Sequence, residues 1–199
     1  MSSAVSVTSR SVEETRILGA SLAPLLLPGD VVSLSGDLGA GKTVFVQGVA
    51  AALGVGRRVT SPSFVIVHHY EGAYPIVHMD VYRLNSFQEV LDLGFEELLD
   101  PEAIMFVEWG EAVTPLLPRR YLEVEMRRAV NPDDLTGRII AFRPRGAEWA
   151  RKIQSMSQTA ETLLAAASAE TTEKPRFSSM PLPRARDHRG MIGGKGSET

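Results

Sequence analysis

Residues 31–53 read VVSLSGDLGAGKTVFVQGVAAAL, and the centre of that stretch, GDLGAGKT at 36–43, decides the fold. Gly36, Gly41, Lys42 and Thr43 satisfy the Walker A pattern G-x-x-x-x-G-K-[ST], with Gly39 as a further glycine inside it. That pattern carries weight only between a strand and a helix. DVVSLSG before it reads as a short buried strand, and the apolar run after it reads as a helix ending near Gly54. Glycines let such a loop wrap with its N–H groups turned inward, and the following helix adds partial positive charge at its N-terminus. The whole segment Gly36, Asp37, Leu38, Gly39, Ala40, Gly41, Lys42 and Thr43 is therefore read as a phosphate cradle. Lys42 reaches the terminal phosphates, and the Thr43 hydroxyl is placed to bind Mg²⁺ between them.

Working outward, SVEETRILGASL has Ser11 and Glu14 at capping-box spacing and Leu18, Leu22 and Leu25 on one helical face, predicting a helix over 11–24. PSFVIVHHYEG and YPIVHMDVYRL are two β-rich runs around a turn containing Gly72, which predicts an antiparallel pair. Ser86 and Glu89 repeat the capping spacing before a short helix, and AIMFVEWGE is a further buried strand. YLEVEM and GRIIAF read as outer strands. These elements predict an α/β fold of the P-loop NTPase type, three layers with a mixed, mainly parallel central sheet.

A magnesium site needs carboxylate, and two apolar strands deliver one each: IVHMD ends in Asp80 and IMFVE in Glu108. A parallel strand opens onto the nucleotide crevice at its carboxyl end. One carboxylate is a candidate metal ligand and the other a candidate for orienting the attacking water, with a helix cap as the plain alternative for either. TSPSF, residues 60–64, offers the hydroxyls of Thr60, Ser61 and Ser63 as a polar switch loop or as an ordinary strand entry. His68 and His69 are adjacent and point to opposite faces, which argues against a joint metal site, whereas His78 shares a face with Asp80. Trp109 is either core packing or a flat wall beside a nucleotide, and Arg83 either neutralises phosphate or makes a structural ion pair.

Composition narrows the classes. The chain has 199 residues, 44% of them hydrophobic, enough for one core with an appendage. Cysteine is absent, so disulfides and thiolate metal sites are excluded. The first residues lack the apolar core of a signal peptide, and no run approaches the ~20 apolar residues that span a bilayer. A cytoplasmic protein without membrane contact is the expectation. Residues 1–145 carry 13 Lys/Arg against 18 Asp/Glu, and 146–199 carry 8 against 6. An acidic folded part argues against a broad grip on nucleic acid. Residues 1–150 read as a P-loop ATPase domain, and 151–199 as a C-terminal extension, partly helical and disordered from about 170.

No Asn-Lys-x-Asp guanine motif occurs, so ATP is favoured over GTP, and residues 84–120 hold only Arg119 and Arg120 as basic groups, which counts against a kinase lid. A stand-alone small-molecule kinase and a nucleotide-sensing module without hydrolysis are the alternatives to an ATPase. SLSGDLGAGKT, TSPSF, HMDVYRL, LGFEELL and VEWGE, in this order, closely resemble the bacterial TsaE family, also called YjeE, from about residue 10 to 150. The resemblance implies a small ATPase required for N6-threonylcarbamoyladenosine beside the tRNA anticodon, acting on the TsaD and TsaB pair and meeting tRNA through that complex. It implies ATP and Mg²⁺ as ligands and partner-stimulated hydrolysis. Glu108 then matches the family's magnesium ligand with Thr43, Asp80 its catalytic carboxylate, Lys42 its phosphate contact and Trp109 its tryptophan at the nucleotide. Thr60 to Phe64, including Ser61, match a nucleotide-sensitive loop. The start of the first helix, Ser9 to Glu13 and hence Ser11 and Val12, falls where the family approaches adenine. Ser63 stands where a threonine is more usual, and the last ~45 residues exceed a normal family member, so no role is carried onto them.

Overall fold

A computed structural model of the chain describes residues 4–62, 66–84, 87–92, 94–129 and 137–156, together with 162 and 164. In chain order the elements are β1 (Val5–Ser9), α1 (Val12–Leu22), a 3-10 turn (Ala23–Leu25), β2 (Val31–Ser35), α2 (Lys42–Ala52), β3 (Val67–Tyr70) and β4 (Ile76–Asp80). Then come α3 (Phe87–Asp92), α4 (Phe95–Leu98), β5 (Ile104–Glu108), a 3-10 segment (Gly110–Leu116), β6 (Tyr121–Arg128) and β7 (Arg138–Arg145). Residues 147–156 form a last helix, α5.

The seven strands make one sheet in the order β1-β7-β6-β2-β5-β4-β3. Its centre is parallel, β6 with β2, β2 with β5 and β5 with β4, and its flanks are antiparallel. The glycine loop thus leaves a central strand, and β3 and β4 form the expected antiparallel pair. The two strands expected to be outer are internal. β6 lies between β2 and β7, and β7 is covered by β1, an edge strand absent from the sequence expectation. Period-2 alternation explains why β1 still fits: Val5 and Val7 pack inward opposite Phe142 and Ile140, while Ser6 and Thr8 face out.

Two apolar clusters lie on opposite faces of the sheet. On one, Val32, Leu34, Phe106, Leu122, Val124 and Phe142 meet Leu18 and Leu22 of α1 and Phe45, Val46 and Val49 of α2. Trp149, Ile153 and Met156 of α5 are buried in the same cluster, so packing runs through residue 150. On the other face, Val77, Met79, Met105 and Val107 meet Val90, Phe95 and Val113. Helices on both faces of a mixed sheet make this an α/β fold. Residues 157–161 and 165–199, which include the extension expected to be disordered, lie outside the described residues, as do Ser63, Phe64 and Ser86. No helix among the described residues is long and apolar enough to cross a membrane.

The close approach of α1 to α2 sets the mouth of the glycine loop. A Cβ on Gly19 would lie 2.2 Å from the Phe45 carbonyl oxygen, and one on Gly48 would lie 2.0 Å from that of Arg16. Both glycines are needed for the helices to touch along their backbones. Ser11 caps α1 as its spacing predicts, its hydroxyl accepting the Glu14 N–H at 3.0 Å. The first helix runs only to Leu22, because Pro24 tightens its last turn into the 3-10 conformation.

Candidate nucleotide site

The glycine loop is shaped by backbone geometry that only glycine takes without strain. Gly36, Gly39 and Gly41 have φ of 121°, 75° and 109°. At Gly36 space is decisive as well, since a Cβ there would sit 2.0 Å from the Met126 carbonyl oxygen. Leu38 is exposed at the tip of the loop. Lys42 and Thr43 then open α2.

Lys42 is buried, at 4% exposure. Its ammonium donates to the carbonyl oxygens of Gly36 at 2.7 Å and Asp37 at 3.0 Å, and lies 3.8 Å from the centre of the Trp109 ring. Burial holds its pKa below the usual lysine value against the opposing pull of the Glu108, Glu111, Asp80 and Asp37 carboxylates. A buried cation held by carbonyls of its own loop is suited to move a short distance onto an anion.

β4 and β5 end in step, with Asp80 directly opposite Glu108 in the parallel register. Both carboxylates are buried, at 5% and 3% exposure. Thr43 Oγ1 donates to Glu108 Oε1 at 2.7 Å, and His78 Nε2 lies 2.9 Å from the same oxygen. Ser61 Oγ donates to Asp80 Oδ2 at 2.9 Å, and the Tyr82 N–H donates to Asp80 Oδ1 at 3.0 Å. The second bond is the local Asx turn expected where a strand ends in Asp. Each acid therefore has its own set of partners.

The residues present fit a small hard cation. A hydroxyl and a carboxylate converge beside the loop, both oxygen donors, while no group of three His, Cys, Asp or Glu forms a cage among the described residues. Mg²⁺ is typically held by few protein oxygens plus water and phosphate. Thr43 and Glu108 could hold it, and the sequence-based assignment of both falls on one spot.

Trp109 follows Glu108 with φ of 63°, an unusual conformation for a bulky residue. That turn swings its ring over Lys42 and against Tyr82, whose ring centre is 4.7 Å away. Ile66 has φ of 71°; its N–H donates to Pro62 O, and its carbonyl accepts from the Asp80 N–H. Two strained positions thus flank the two acids, a distribution common at functional sites.

On the other side of the loop, Ser11, Val12 and Thr15 at the start of α1 line a shallow pocket with Gly39, Ala40, Gly41, Val44 and Arg138. Val12 is 54% exposed, a flat apolar surface beside the cradle. Arg138 was not singled out from the sequence. Its Nε donates to Ala40 O at 3.0 Å across 98 residues. An arginine at the start of a strand gives no local signal of such a partner. His69 is exposed and His68 bonds Tyr70 OH at 3.1 Å, so neither joins the site, and Arg83 is exposed.

A family model described as "Threonylcarbamoyl adenosine biosynthesis protein TsaE" matches residues 9–136. The chain is 42% identical over 118 residues to the tRNA threonylcarbamoyladenosine biosynthesis protein TsaE of Bacillus subtilis, covering 59% of this chain and 73% of that one. It is 40% identical over 119 residues to the protein of the same name from Treponema pallidum, 60% of this chain and 88% of that one. With the Streptomyces coelicolor TsaE the identity is 42% over 139 residues, 68% and 93% of the two chains. Among solved structures, that of Bacillus subtilis YdiB superposes with a TM-score of 0.68 at 32% identity, covering 80% of this chain and 97% of that one.

Proposed function

Since the chain belongs to the TsaE family, we propose that it is a Mg²⁺-dependent ATPase serving the tRNA threonylcarbamoyladenosine machinery, working on a TsaD–TsaB pair in the cytoplasm. The observation that carries the chemistry is the pair of buried acids ending β4 and β5 in register, one of them bonded to the hydroxyl that follows the loop lysine.

Inward N–H groups of the glycine loop and the N-terminus of α2 receive the phosphates. Lys42 exchanges its two loop carbonyls for phosphoryl oxygens, and Trp109 keeps the ammonium shielded from water as it moves. Thr43 and Glu108 would hold Mg²⁺, which would supply charge neutralisation of the phosphates. Asp80, steadied by Ser61 and the Tyr82 N–H, orients a water and accepts its proton. The water oxygen bonds to the γ-phosphorus as its bond to the bridging oxygen breaks, giving ADP and phosphate. The pocket lined by Ser11 and Val12 would receive the adenine. Partner binding completes the site, so turnover by the chain alone is slow, and the acidic domain meets tRNA through that complex.

The test is mass spectrometry of nucleosides from total tRNA after depletion of this protein, with rescue by the unaltered chain or by Lys42→Ala. Loss of threonylcarbamoyladenosine that only the unaltered chain restores is the expected result. A full level of the nucleoside through depletion would overturn the reading and return attention to acceptor-dependent phosphoryl transfer.

A further inference from the structure

His78 is fully buried at 0% exposure, yet its Nδ1 has no hydrogen-bond partner, alone among buried side-chain nitrogens and oxygens of the described residues. Its other nitrogen lies 2.9 Å from Glu108 Oε1. A carboxylate only accepts, so the proton of that bond belongs to Nε2. A buried orphan polar atom is destabilising, and a leucine in β4 would avoid it. The strand neighbours Ile76, Val77 and Met79 are apolar, and nothing in the packing calls for an imidazole.

What the ring gains for that cost is a second fix on Glu108. Thr43 Oγ1 and His78 Nε2 both donate to Oε1, from α2 and from β4. Two donors from different elements pin the carboxylate where one would leave it free to rotate. The Tyr70 ring, 6.4 Å away between centres, backs the imidazole, and Tyr70 OH bonds the Thr60 carbonyl oxygen at 3.3 Å.

We infer that His78 is a positioning residue for Glu108: its Nε2–H holds the carboxylate in the orientation that takes Mg²⁺, and it does so without touching nucleotide. This rests on the reading of the loop as a Mg²⁺–ATP site. Partners of this kind typically contribute about 10–100-fold to metal affinity.

The experiment is calorimetric binding of ATP in Mg²⁺ and in EDTA, with the ratio of the two dissociation constants as the readout. His78→Leu lacks the donor, whereas His78→Gln places an amide N–H close to Nε2. The ratio is expected to shrink about 10-fold in His78→Leu, with affinity in EDTA unchanged, and to return to within about 2-fold in His78→Gln. In a Glu108→Gln background, His78→Leu should add nothing further, because the residue acts through that carboxylate. An unchanged ratio in His78→Leu, or a loss in His78→Gln equal to that in His78→Leu, would overturn the inference. An unaltered chain that gains nothing from Mg²⁺ would instead break the site reading, and this inference with it. A measurement on the unaltered chain is independent of whether the variants fold: long-range ¹H–¹⁵N spectra should place the slowly exchanging ring proton on Nε2, and a proton on Nδ1 alone would refute the bond.

Discussion

The acids and the histidine of β4 and β5 are buried and the charged residues of β6 and β7 reach solvent, although the strands belong to one sheet. His78, Asp80 and Glu108 are all under 6% exposed. Across the sheet, Arg145 bonds Glu123 at 2.6 Å, and Arg143 reaches Glu123 and Glu125, with the arginine side chains about half exposed. The second group pairs opposite charges with its arginines in solvent and contributes little to stability. The first places two carboxylates side by side out of solvent, an arrangement that folding alone would select against. Where a chain keeps charge at a cost, the charge serves something other than the fold.

Four substitutions can break or sharpen that contrast, and the loop cation comes first because its loss is felt in both binding and turnover. Lys42→Ala should weaken ATP binding about 10–100-fold and lower turnover about 10²–10³-fold, read by calorimetry and phosphate release; near-normal turnover would remove Lys42 from the site. Asp80→Asn should separate the two properties of the crevice. Turnover falls about 10²–10⁴-fold with ATP affinity kept, while Tm rises by about 1–3 °C as a buried carboxylate gives way to a neutral amide. Ser61 can accept as readily as donate, so the new amide keeps its partner. A lowered Tm would mean that the buried pair stabilises the fold, contrary to the contrast drawn here.

Arg138→Gln should cost less, about 10-fold in ATP affinity, since it removes a brace on Ala40 O and leaves the loop glycines in place. Equilibrium binding with and without Mg²⁺ checks it, and the loss should be the same in both. Smallest of all, Arg143→Gln on the exposed side should move Tm by less than about 2 °C and leave ATP binding untouched. An effect on nucleotide there would mean that the exposed charges and the crevice are coupled.

The part of this arrangement legible in the sequence is the part set by local chemistry. The glycine loop, the two strand-terminal acids and the Ser11 cap each announce themselves within a few residues, because backbone conformation and register fix them. His78 could be placed on the face of Asp80 by alternation alone. What stayed hidden depends on long-range pairing. β1 has two inward valines and finds its partner more than 130 residues later, opposite Phe142 and Ile140. For the same reason β6 and β7 read as outer strands, and Arg138 gave no sign that it would meet the loop carbonyl at Ala40. The swing of Trp109 over Lys42 follows from a positive φ that no propensity assigns to tryptophan.

The most direct test of the claim that the buried acids exist for hydrolysis is a single-turnover reaction, with protein in excess over γ-labelled ATP, run with Mg²⁺ and with EDTA. Phosphate should form from the unaltered chain only with Mg²⁺, and Asp80→Asn should bind ATP without releasing it as phosphate. Equal phosphate formation by Asp80→Asn would contradict the assignment of Asp80, and formation that ignores EDTA would contradict that of Thr43 and Glu108.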